Sequence, residues 1–106
     1  MVRAKYTVDE SIHTLVVLGH ANYDEYGRDI VCAGVSALVQ ALIGWVEEHY
    51  ETSSCISIDT QGGEVIISCE GGEEVAAVFH MASIGLEQLA DSYPDHVQID
   101  IIGLAD

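Results

Sequence analysis

Residues Ile12–Val46 read IHTLVVLGHANYDEYGRDIVCAGVSALVQALIGWV. Three kinds of local order follow one another in this stretch. IHTLVVLGH is a short run rich in valine and leucine, the composition of a strand. From Val31 onward, Val35, Leu38, Val39, Leu42 and Val46 recur at helical spacing. Asp29 stands just before that run, where a carboxylate accepts the free N–H groups of a helix's first turn. The eight residues between, Ala21 to Arg28, exceed the usual short connection. The stretch is therefore strand, long loop and capped helix. The helix's other face carries Ala33, Ala37 and Ala41, so it too is small or apolar. Such a helix is expected to be covered on more than one side, by a sheet and by something else. It should end near His49.

Working outward, VRAKYTV alternates, with Val2, Ala4, Tyr6 and Val8 on one side. DES then makes a turn, and the two strands form a hairpin. Downstream, SCISIDT and EVIISCE read as strands around QGG. A two-residue Gly62-Gly63 turn, a favoured hairpin loop, pairs Ile58 with Ile67, Ile56 with Cys69 and Thr60 with Val65. It places Cys69 in the core and Cys55 on the opposite face, so these two do not bond. A three-residue turn would pair Cys55 with Cys69 but scatter the apolar residues over both faces, which burial disfavours. Gly71-Gly72 breaks the chain. A second helix is expected from about Glu73 to Ala90, with acids in its first turn as the dipole prefers. Val75, Val78, Phe79, Ala82, Leu86 and Leu89 form its apolar stripe, and Pro94 stops it. HVQIDII is a last strand. The order ββαββαβ predicts an α/β fold: one two-layer domain over residues 1–106, with a mostly antiparallel sheet and two helices.

Composition limits the function classes. The chain has 106 residues, 49% of them hydrophobic, and three basic residues (Arg3, Lys5, Arg28) face eighteen acids, for a net charge of −15. Phosphate backbones and anionic membrane surfaces repel such a chain, which argues against nucleic-acid binding. A basic protein or peptide is attracted, although acidity also serves plain solubility. No signal peptide is evident, and no apolar stretch is read as approaching the ~20 residues of a membrane span. Three cysteines without a close pair make a disulfide framework improbable and point to a reducing cytoplasm.

The long loop carries the chemistry. Cys32 falls at the third helical position if Asp29 is the cap. Unpaired N–H groups and the positive end of the helix dipole favour a thiolate there. His20 leaves the preceding strand, and a strand packs beside the helix it feeds. An imidazole beside a thiol activates a nucleophile, and first-turn N–H groups can stabilise an oxyanion. The competing reading is that Cys32 simply packs, since cysteine is among the most buried residue types. The loop NYDEYGRD offers Tyr23 and Tyr26 as contact surfaces for a bound peptide and Gly27 for a positive φ. It reads equally as a solvated polar loop. Ser36, one turn after Cys32, either orients the site or bonds back to the Cys32 carbonyl. His20, Asp24, Glu25 and Cys32 match no metal-ligand spacing, so neither metal nor cofactor is expected. His13, His49, His80 and His96 read as surface or structural histidines.

Gly19-His20-Ala21, Glu25-Tyr26-Gly27 and Asp29-Ile30-Val31-Cys32-Ala33, at this spacing, resemble the signature of the bacterial ribosomal-processing cysteine protease family, Prp. Length and element order are similar too. The resemblance implies removal of a short N-terminal extension from large-subunit ribosomal protein L-twenty-seven. It implies a cut after an aromatic residue in a Leu-Asn-Leu-Gln-Phe-Phe-like segment. Cys32 would be the nucleophile and His20 the general base and then acid, with Asp29 and Ser36 in support and no cofactor. The resemblance also implies a homodimer. The alternative carried beside it is a non-enzymatic acidic module that holds a basic ribosomal protein.

Overall fold

Alternation builds the first hairpin. β1 (Val2–Asp9) turns Val2, Ala4 and Tyr6 inward, and β2 (Ile12–Leu18) turns His13, Leu15 and Val17 inward. The strands pair with Tyr6 opposite Leu15 and Asp9 opposite Ile12, so Glu10 and Ser11 alone make the turn. The computed structural model describes residues 1–102 except Tyr26, Thr60 and Gln61. Helix α1 runs Ile30–Tyr50, followed by a 3-10 turn at Glu51–Ser53. Next come β3 (Ser54–Asp59), β4 (Glu64–Glu70), α2 (Glu73–Ser92) and β5 (Val97–Ile102). The five strands form one sheet in the order β3-β4-β2-β1-β5. Only β5 against β1 is parallel; the other three pairings are antiparallel. The α/β, two-layer architecture is the one expected.

Both helices cover the same face of the sheet. Val31, Val35, Val39, Leu42 and Val46 from α1 and Val75, Phe79, Ala82 and Leu86 from α2 are buried with the inward strand residues. Tyr6, Leu15, Ile67, Phe79 and Leu86 have no exposed surface. Each such aliphatic or aromatic side chain contributes about 1.5–3 kcal/mol by leaving water. The second cover over α1 is α2: Gly34 lies against Leu89, and a Cβ at Gly85 would stand 2.6 Å from Leu38 Cδ2. The small face of α1 stays open within one chain, with Ala33, Ala37 and Ala41 exposed.

Two expectations need correction. The β3–β4 register is not the one a two-residue turn gives. Ile56 faces Ile67, Ile58 faces Val65 and Ser54 faces Cys69. The strands end at Asp59 and Glu64, so four residues connect them. Asp59 Oδ1 accepts the Gly62 N–H at 2.9 Å, so β3 ends two residues earlier than a Gly-Gly turn would require. The slip is two residues, so each side chain keeps its face: Cys69 is buried and Cys55 exposed, and all three cysteines are free. The expected Thr60–Val65 pair lies outside the described residues. The second correction concerns α1. By length and composition, Ile30–Ser53 is apolar enough to cross a membrane. Glycine and alanine extend its uncharged run beyond the larger hydrophobes, and here its valine stripe packs on the sheet.

Candidate active site

The site begins where β2 ends. The Gly19 N–H donates to the Gly63 carbonyl at 2.7 Å, fastening the exit of β2 to the β3–β4 loop. Gly19 has φ +87°, and a Cβ there would collide with the Met1 carbonyl. The chain turns at this point and releases His20 at the sheet's end. Ala21 is buried, and its carbonyl accepts the His96 Nδ1–H at 2.9 Å. Tyr23 packs edge-on against Tyr93 and His96, each with centroids 5.3 Å apart. The loop's first half is thus anchored to the end of α2 and the start of β5.

Asp29 anchors the second half. Its Oδ1 accepts the Cys32 N–H at 2.9 Å, and its Oδ2 accepts the Tyr23 N–H at 2.9 Å and the Asp24 N–H at 3.4 Å. One carboxylate therefore caps α1 and gathers the loop onto the helix terminus. Partial burial pushes its pKa up. The backbone donors of Cys32, Tyr23, Asp24 and Val31 together outweigh that and hold it below the usual carboxylate value. The Ala33 N–H bonds to the Asp29 carbonyl at 3.0 Å. The N–H groups of Cys32 and Ala33 are thereby engaged, so these two are not the open oxyanion donors that the sequence suggests.

His20, Asn22, Asp24, Gly27, Asp29, Cys32, Ala33 and Ser36 line one cleft of about 500 Å³. The imidazole and the thiol, twelve residues apart in sequence, share its wall. Gly27 has φ +87°, the left-handed backbone anticipated for it. Tyr23 does not line the cleft: 43% exposed, it sits behind it on Tyr93 and His96. Tyr26 lies outside the described residues. Sequence reasoning missed Asn22 as a lining residue. Its φ of +54° is left-handed backbone, which asparagine tolerates better than most side chains. Among the described residues, no three His, Cys, Asp or Glu side chains converge as metal ligands do.

His13 and Cys69 are structural. His13 is 5% exposed, its Nδ1 lies 2.7 Å from the Tyr6 hydroxyl, and it packs against Phe79. Burial lowers its pKa, opposed by a hydrogen bond to the Gly71 backbone. Burial raises the pKa of the Cys69 thiol. Cys55 lies instead in a shallow depression with Ile12, Ser68 and Glu70, far along the sheet from His20.

A small α/β domain with a thiol at a capped helix start and an imidazole on the same cleft wall has the parts of a thiol peptidase. The family model of cysteine protease Prp matches residues 1–98, and the chain belongs to that family. A ribosomal processing cysteine protease Prp of Staphylococcus aureus is 32% identical over 108 residues, covering 94% of this chain and 98% of that one. The Mycoplasma genitalium protein of the same name is 31% identical over 97 residues, covering 88% and 92%. The fold matches that of an S. aureus Prp crystallised with a covalently linked product peptide, with a TM-score of 0.84 and 24% identity over 95% of this chain and 99% of that one. The chain is a cysteine protease, which sets aside the reading as a binding module without chemistry.

Proposed function

We propose that this protease removes the N-terminal extension of large-subunit ribosomal protein L-twenty-seven, cutting after an aromatic residue. Cys32 is the nucleophile. Its thiolate attacks the scissile carbonyl, and His20 gives its proton to the departing amine, leaving a thioester on Cys32. Water then adds to the thioester while His20 takes its proton, and the acid product leaves as the thiolate returns. Asp29 holds Cys32 and the loop in place, and Ser36 and Gly27, which line the cleft, border the bound substrate. The observation that carries this reading is the shared cleft wall of His20 and Cys32. The names of the relatives, ribosomal processing proteases, support the substrate class.

The reading extends to the assembly. We infer a homodimer, supported by the exposed Ala33, Ala37 and Ala41 face of α1 and by Ile30, 60% exposed beside it. It places the enzyme in the reducing cytoplasm, which suits three free thiols. Incubation with a leader peptide of the Leu-Asn-Leu-Gln-Phe-Phe type tests the proposal. Cleavage after phenylalanine is expected, with Cys32→Ser binding the peptide and leaving it whole. Replacing that phenylalanine by alanine should remove on the order of 2 kcal/mol of binding in the transition state. Equal rates on the two peptides would rule out an aromatic pocket.

A further inference from the structure

We propose that Gly63 is a positioning residue for His20, holding the imidazole in place by having no side chain. This rests on the reading of His20 as the general base. A Cβ at Gly63 would stand 2.8 Å from His20 Nε2 and 3.2 Å from Cε1. At 2.8 Å it would occupy the place where a hydrogen-bond partner of Nε2 sits. The same carbon would lie 3.2 Å from the Gly19 carbonyl oxygen. Gly63 has φ +65°, and its own carbonyl accepts the Gly19 N–H at 2.7 Å. One residue of the β3–β4 loop therefore fixes the backbone that carries His20 and borders the ring itself.

The collision has a cheap way out for the fold and a costly one for the reaction. The imidazole ends a short side chain and can rotate away from a new methyl, so the fold persists. Rotation removes the ring from the wall it shares with Cys32. Nε2 also loses the open space in which a proton donor or acceptor can approach it. The dependence is on the β-carbon rather than on the φ angle alone, and asparagine separates the two, because it tolerates positive φ yet still carries a Cβ.

The experiment compares wild type, Gly63→Ala, Gly63→Asn and His20→Ala. It reads kcat and KM on the leader peptide, the pH profile of Cys32 alkylation by iodoacetamide, and thermal unfolding. Both Gly63 variants are expected to fold and to lose kcat by roughly tenfold or more, with the alkylation profile moved toward that of His20→Ala. KM should stay within about twofold, since a displaced base acts on the chemical step. Full kcat in folded Gly63→Ala, or its restoration in Gly63→Asn, would overturn the proposal. A His20→Ala variant that keeps the wild-type profile and turnover would instead overturn the reading of His20 as base. If Gly63→Ala does not fold, Gly63→Asn decides by the same readouts.

Discussion

At the scale of single residues, Asp29 is the side chain whose role follows most directly from local chemistry. An aspartate before an apolar helical run is a cap whatever the fold, so its bond to the Cys32 N–H was legible in sequence. Its second set of bonds, to Tyr23 and Asp24, depended on the loop folding back and was not. Asp29→Ala should cost about 1 kcal/mol of stability through the lost cap. The pH dependence follows from its lowered carboxyl pKa. The contribution is complete above the unfolded value near 3.9 and is lost as pH falls through the lower folded value. Thermal unfolding of the two proteins across acid pH checks this: the gap should be full at neutrality and close under strong acid. A gap constant across that range would mean that the charged carboxylate is not what caps the helix. Gly63 belongs to the same scale and was invisible in sequence, because its neighbour His20 is far away along the chain.

Among elements, periodicity delivered the strands, both helices and the buried faces, since each is written in the spacing of its own side chains. The β3–β4 register was not, because a loop of four residues and one of two keep the same side chains inward. The Asp59 bond to the Gly62 N–H goes with the longer loop. His13 joins three elements: it lies on β2, meets Tyr6 of β1 at 2.7 Å, and packs tilted against Phe79 of α2. Its pKa is lowered by burial, so the unfolded chain takes up the proton first. Stability should therefore fall as pH drops below the unfolded value of about 6.5, and the loss levels off beneath the folded pKa. His13→Gln, compared with wild type by urea unfolding between neutral and mildly acid pH, should lower stability at neutrality and flatten that slope. An unchanged slope would assign the acid sensitivity to other groups.

At the scale of the whole molecule, the net charge of −15 and the open helix face are expected to bear on encounters rather than on chemistry. Charge steering raises association rates and fades with salt. Cleavage of a basic full-length substrate should thus slow with added salt, while a short neutral leader peptide is cut at nearly the same rate. Equal responses would remove steering from the account. Light scattering at micromolar concentration should give twice the 11.4 kDa chain mass, and the single-chain mass would contradict the dimer. Neither property was tied to a residue pattern in the way the cleft was, and charge and exposed area name no partner by themselves. The central claim is that, among the three thiols of this chain, Cys32 with His20 performs the cut. Iodoacetamide added in one equivalent at mildly acid pH, followed by peptide mapping and a cleavage assay, tests it most directly. The label is expected on Cys32 with cleavage abolished, and exposed Cys55 and buried Cys69 unmodified. Label on Cys55 or Cys69 with activity lost, or full activity with Cys32 alkylated, would contradict it.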